Sequence, residues 1–309
     1  MQKTDYRYLF GPVPSRRFGR SLGIDLTTHK TCCLDCVFCQ LGRTLQKTLE
    51  RRAYVPARDV IAELEHWLKG DGVADYLTLS GSGEPTLHSE FGQVLAFLRD
   101  QPIPSAVLTN GTLLSLPAVR EAAALARVVK VSLSAWNQKS FEWVNRPHPQ
   151  LDFKLFFEGL KQFRSQYDGQ FWLEVFLLSG INAMTRDVER IAALSRELKP
   201  DRIHLNTTAR PPAEGFAAAV PMAQLVALAG LFDPPALIAS GFSRPQTRPI
   251  KAAEETIFAM LKRRPCTTEQ IQAAFGLHIN EVSKHLGALM TKNRIRVDRE
   301  NKQMYYTAV

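Results

Sequence analysis

The stretch Thr31-Cys32-Cys33-Leu34-Asp35-Cys36-Val37-Phe38-Cys39-Gln40 sets three thiols in a C-x3-C-x2-C spacing behind a short apolar run, Leu22-Gly23-Ile24-Asp25-Leu26, that reads as a strand. Three thiolates on one loop can meet a single centre only if the chain curls around it, and they leave a fourth position open. Structural zinc and simple electron-transfer clusters close all four positions, so the open one points to a catalytic centre. A zinc knuckle completed by His29 is the lesser alternative. A disulfide framework fits poorly with five cysteines, an odd number, among 309 residues. Cys33, between the first two motif positions, is read as pointing away from the shared centre, and Cys266 as structural.

Outward from that loop the chain alternates. Helix signals at 58–69, 88–99, 116–126, 152–164 and 185–198 separate apolar runs at 76–79, 106–108, 128–133, 171–178 and 202–205. With the run before the cysteines this makes six β-α units, the pattern of parallel strands covered by helices. The fold class expected is α/β, a partial (β/α)6 barrel of TIM type. Polar residues then collect behind each predicted strand: Ser80-Gly81-Ser82-Gly83-Glu84 behind the second, Asn110 behind the third, Ser134 and Asn137 behind the fourth, Asn206 and Arg210 behind the sixth. Barrel enzymes assemble their sites on that face, because separate loops converge there without disturbing the core. Glu174, inside the fifth run, is a possible substrate contact. The segment 10–23, dense in Gly and Pro, reads as a loop whose Arg16, Arg17 and Arg20 put positive charge beside the cysteines.

The cysteine spacing, with the aromatic Phe38 just before the third cysteine, resembles the signature of the radical S-adenosylmethionine superfamily. The resemblance implies that Cys32, Cys36 and Cys39 hold a 4Fe-4S cluster that binds the amino and carboxylate groups of S-adenosylmethionine. Ser82-Gly83-Glu84 resembles the family's Gly-Gly-Glu motif, departing from it at Ser82, and implies Gly83 and Glu84 at the methionine ammonium. Asn110 and Ser134 stand where the family contacts the carboxylate and the ribose, and Asn206 and Arg210 are further candidate contacts. The run Pro14-Ser15-Arg16-Arg17 through Ser21-Leu22-Gly23 resembles a subgroup related to wyosine-forming tRNA enzymes. Members that make wyosine carry a second cluster on three more cysteines; no cysteine precedes Cys32 here, which argues against that reaction itself.

Beyond the barrel, proline recurs between 211 and 249, and a linker is expected at 243–250, dividing a barrel domain, 1–242, from a small module, 251–309. The module reads as a winged helix-turn-helix: three short helices, the second opened by a capping box from Thr267 to Gln270, then a hairpin. It holds ten Lys or Arg against six Asp or Glu. Ser283, Lys284 and His285, with Arg294, Arg296, Arg299 and Lys302 on the wing, are candidate nucleic-acid contacts; protein docking is the other reading. The whole chain carries a formal charge of +9, which suits a polyanion or an acidic electron donor such as flavodoxin or ferredoxin. No stretch reaches the length of a bilayer span, so a cytoplasmic protein without membrane contact is expected. Three functions stay open: a radical enzyme acting on tRNA or another nucleic acid, one acting on a protein or small molecule, and a DNA-binding iron-sulfur redox regulator.

Overall fold

The computed structural model describes residues 6–15, 17–28, 30–70, 72–238, 254–263, 265–300 and 303–309. Arg16, His29, Lys302 and the expected linker at 243–250 lie outside them. Eight strands form one sheet whose spatial order follows the chain: β1 (Leu9–Ser15), β2 (Gly19–Ile24), β3 (Tyr76–Leu79), β4 (Ser105–Thr109), β5 (Val128–Ser132), β6 (Gln170–Phe176), β7 (Arg202–Asn206) and β8 (Leu237–Ile238). Only β1 and β2 are antiparallel; every later pair is parallel. The crossovers carry α1 (Ala57–Lys69), α2 (Phe91–Arg99), α3 (Pro117–Ala123), α4 (Gln138–Asn145), α5 (Phe153–Gln166), α6 (Thr185–Leu198) and α7 (Met222–Ala229). Each helix turns an apolar stripe inward, as α5 does with Phe153, Phe156, Phe157, Leu160 and Phe163, spaced three and four residues apart. The sheet does not close, so the architecture is the expected partial barrel with one added strand at each edge.

The edge strand β1 departs from the sequence reading, which took Gly11-Pro12-Val13-Pro14 for a loop. Proline cannot donate to a ladder, but an edge strand has one side on which no donor is required. The irregularity between Phe10 and Val13 is a bulge, and Gly11 sits there at φ 96, a conformation open to glycine alone without strain.

Side-chain alternation sorts the barrel interior into layers. Phe18, Ala106, Val128 and Trp172 pack together as an apolar floor, with Phe18 stacked on Trp172 at 5.0 Å. Two residues further along the strands come Thr78, Leu108, Lys130, Glu174 and His204, a predominantly polar layer. The cysteine loop lies at the far, C-terminal ends.

The C-terminal segment forms α8 (Glu254–Arg263), α9 (Thr268–Phe275) and α10 (Ile279–Thr291), followed by the antiparallel pair β9 (Ile295–Glu300) and β10 (Gln303–Ala308). The Thr267–Gln270 capping box is present. These elements have their own apolar core of Ile257, Met260, Leu261, Ile271, Val282 and Leu289, and Val13 of β1 packs against it. The side chain of Gln270 donates to the Ala209 carbonyl at 2.9 Å, tying the segment to the loop behind β7.

Candidate metal centre

Each sulfur of the C-x3-C-x2-C loop has a hydrogen-bond donor within reach. Lys30 Nζ reaches Cys39 Sγ at 2.8 Å, Asn145 Nδ2 reaches Cys36 Sγ at 3.3 Å, and Asn110 Nδ2 stands 3.8 Å from Cys32 Sγ and 3.2 Å from Cys33 Sγ. Cys33 is fully buried behind Cys32, against Thr112 Oγ1 at 3.0 Å, as its reading as a packed residue requires. It is more than a bystander. A hydrogen bond from the Cys33 thiol lowers the pKa of Cys32, and the same bond pushes Cys33 well above the usual thiol range. Burial, with Cys39 and Cys32 nearby, raises Cys36. The three motif sulfurs thus act on one another electrostatically and are surrounded by N–H donors.

The neighbouring loops are joined to this one bond by bond. Gly83 lies so close to the Thr31 carbonyl that a Cβ there would overlap it, and the Glu84 N–H donates to that carbonyl at 2.8 Å. Asp25, at the end of β2, accepts from Ser82 N at 3.1 Å and from Ser82 Oγ at 2.6 Å, which gives the departure at Ser82 a local reason. Glu84 is 2% exposed. Its carboxylate, read from the sequence as an ammonium acceptor, is occupied by four protein donors: Thr86 N at 3.1 Å, Thr86 Oγ1 at 2.6 Å, Thr109 Oγ1 at 2.5 Å and Asn110 N at 2.7 Å. Burial raises its pKa against the pull of those donors. Glu84 thus clamps the loop behind β3 to the loop behind β4, and Asn110 carries the connection on to the cysteines.

The other predicted residues divide. Ser134 is buried and accepts from Phe176 N at 3.0 Å, Asn137 caps α4, and Asn206 donates to Glu174 at 3.3 Å, so all three are engaged within the protein. Arg210 is 4% exposed, reaches only Gln40 at 3.4 Å, and leaves its Nε without a partner among the described residues. It stands beside the residue that follows Cys39. Asn145 and Lys30 were missed in the sequence, where one closes a helix and the other reads as surface charge. The only local signal is for Lys30, which directly precedes the cysteine run; Asn145 has none. The Asn145–Pro147 turn also supports the cysteine loop from below: Asp35 N donates to the Asn145 carbonyl at 3.0 Å, and Arg146 pairs with Asp35 at 3.6 Å and with Glu214 at 2.5 Å.

Among the described residues no three His, Cys, Asp or Glu side chains form a site for a single metal ion. The donor set fits a thiolate-bound cluster: three sulfurs from one loop, each with an N–H donor to offset the charge that ligation requires, and no carboxylate among the three.

A family model described as "Radical SAM superfamily" matches residues 26–194. The chain is 32% identical over 311 residues to a protein named GTPase Obg from Brachyspira hyodysenteriae, covering 98% of this chain and 45% of that protein. It is 37% identical over 209 residues to a UPF0026 protein from Methanocaldococcus jannaschii, covering 67% of this chain and 65% of that one. It therefore spans less than half the length of the first relative and under two thirds of the second. A solved structure of TYW1 with a lysine-pyruvate adduct bound superposes with a TM-score of 0.53 at 15% identity, over 74% of this chain and 76% of that one. At that identity the likeness is one of fold.

Proposed function

We propose, for a chain that belongs to the radical S-adenosylmethionine superfamily, that Cys32, Cys36 and Cys39 are the thiolates holding the 4Fe-4S cluster that this family uses with S-adenosylmethionine. The observation that carries the assignment is the N–H donors gathered around those sulfurs, Asn145 at Cys36, Lys30 at Cys39 and Asn110 shared between Cys32 and Cys33. When bound, the cluster and S-adenosylmethionine supply one-electron chemistry that yields a 5'-deoxyadenosyl radical able to take a hydrogen atom from a substrate. The protein's residues do the positioning. Glu84 and Asn110 fix the loops behind β3 and β4 against the cysteine loop, Gly83 allows the close approach, and Ser134 and Asn206 hold the loops behind β5 and β7. Arg210, buried with an unpaired Nε beside Gln40, is the cation available to a cofactor carboxylate.

The substrate we propose is a nucleic acid, with tRNA as the first to test, and 251–309 as a winged helix that binds it. Lys284, Arg296 and Arg299 are exposed there. Arg294, also read as a wing contact, pairs with Glu255 at 2.6 Å and lies over Phe258 at 3.8 Å, so it belongs to the module's own structure. An open groove at the barrel mouth, lined by Lys30, Arg43, Lys47 and Arg52, suits an acidic electron donor such as flavodoxin or ferredoxin. No helix among the described residues is long and apolar enough to cross a membrane.

The test is binding of bulk tRNA to the full chain across a salt series. Replacing Arg296 and Arg299 with Gln should weaken binding and flatten the log–log salt slope by up to about two phosphate contacts' worth. An unchanged slope would assign the module to protein docking.

A further inference from the structure

The barrel interior holds a second polar cluster, below the cysteine loop, that the radical chemistry leaves unused. Glu174 of β6 pairs with both Arg17 and Lys130, and Asn206 donates to it. His204 of β7 lies beside it over Trp172, with ring centroids 5.4 Å apart. Glu174 takes only one corner of the Arg17 guanidinium, Nη2. Nε is buried without a partner, and no hydrogen bond forms at Nη1 among the described residues. The Nδ1 of His204 is likewise buried and unpartnered. A buried donor left unpaired is costly, and each one in a native interior calls for a partner such as an ordered water or a ligand.

Beside Arg17 is a cavity of about 160 Å³, room for roughly five waters' volume. Its polar wall is Arg17 with the hydroxyls of Ser15, Ser21, Thr78 and Ser80. Ser21 and Thr78 share one hydrogen bond at 2.7 Å, which leaves each with capacity for another. Met260 of α8 forms part of the apolar wall, so the C-terminal segment contributes to the cavity. A guanidinium with a free donor edge, in a small recess shared with several hydroxyl-bearing side chains, is the chemistry that recognises an oxyanion.

We propose that this cavity binds the carboxylate or phosphate of a small anionic molecule, held by Arg17 with the Ser21 and Thr78 hydroxyls. Its identification as a substrate or co-substrate rests on the radical-enzyme reading; the anion site itself does not. The site is lined by residues of β1, β2, β3, β4 and α8, with Phe18 of the apolar floor in its wall.

The test is calorimetric titration of the cluster-reconstituted full chain with sodium phosphate and with sodium acetate at fixed ionic strength. Saturable one-site binding is expected, and the tighter of the two anions names the class. Arg17→Lys keeps a cation opposite Glu174 and so keeps the fold, yet it loses the forked donors; it should weaken binding by about 10-fold or more. Thr78→Val, nearly isosteric, should weaken it a few-fold. No binding by the wild type, or equal binding by wild type and both variants, overturns the proposal. The same preparation is assayed for 5'-deoxyadenosine. Cofactor cleavage without anion binding removes this inference alone, and anion binding without cleavage leaves the site standing and removes the radical reading.

Discussion

Glu84, in the loop behind β3, and Glu174, within β6, are both carboxylates largely withdrawn from solvent, and their surroundings are opposite. Glu84 accepts four hydrogen bonds from neutral donors and pairs with no cation among the described residues. Burial therefore dominates and raises its pKa. For Glu174 burial pushes the same way, but Arg17 and Lys130 overcome it and hold the carboxyl well below the usual carboxylate range. One is a clamp between loops at the mouth, with its partners nearly complete; the other is a counterion in the lumen, beside Arg17, whose Nε has no partner among the described residues. A region with its bonds complete holds loops in place, whereas a region with bonds to spare is equipped to bind something.

Glu174→Gln gives the largest expected effect, because it leaves two buried cations without their carboxylate. The loss should be about 3–5 kcal/mol of stability at neutral pH, read from denaturant unfolding. The sign with pH follows from the lowered pKa. The unfolded state binds the proton first, so the wild type's advantage over Glu174→Gln is present above about pH 4.3 and fades as pH falls below it. An advantage that grew on acidification would contradict the counterion role.

Glu84→Ala should cost on the order of 3 kcal/mol, since it strands the Thr86, Thr109 and Asn110 donors in a buried place. Its pH dependence runs the other way from that of Glu174. With the folded pKa raised, the native state holds its proton longer, so the advantage of Glu84 over Gln at the same position shrinks as pH rises past about 4.3. Parallel slopes for the two glutamates would erase the contrast between clamp and counterion. The smallest effect is at His204, which burial together with Arg17 and Lys130 lowers to about 4. Its charged neighbours are Arg17, Lys130, Glu174 and Arg202. The unfolded histidine protonates near 6.5, so stability should decline between about pH 6.5 and 4. His204→Gln should flatten that part of the curve.

The mouth was legible in sequence because its signals are local. Three cysteines within eight positions, a Ser-Gly-Glu run behind a strand, and five long helix periods each stand out in a short window. The strand at Leu9–Ser15 was not legible, because two prolines in four residues read as a loop wherever the edge position is unknown. The lumen cluster is harder still. Arg17 looks like loop charge, Lys130 like an interruption in Val128–Val131, and His204 like a solvated strand residue. Only the register across β5, β6 and β7, which pairs Glu174 with both Ser132 and His204, brings them together. Glu84 shows the converse: its position was legible, but two of its four donors come from Thr109 and Asn110, 25 and 26 positions on, so the direction of its carboxylate was not. Arg294 was read as a free wing charge because its stacking on Phe258 is a tertiary contact with no trace in the local pattern.

The central claim is that Cys32, Cys36 and Cys39 form the metal centre while Cys33 only supports it. It is tested most directly by iron content and 5'-deoxyadenosine formation in the anaerobically reconstituted full chain, compared for wild type, Cys36→Ala and Cys33→Ala. The prediction is about four irons on the wild type and on Cys33→Ala, with 5'-deoxyadenosine released by both, and neither a stable cluster nor product from Cys36→Ala. Loss of the cluster in Cys33→Ala together with its retention in Cys36→Ala would contradict the assignment.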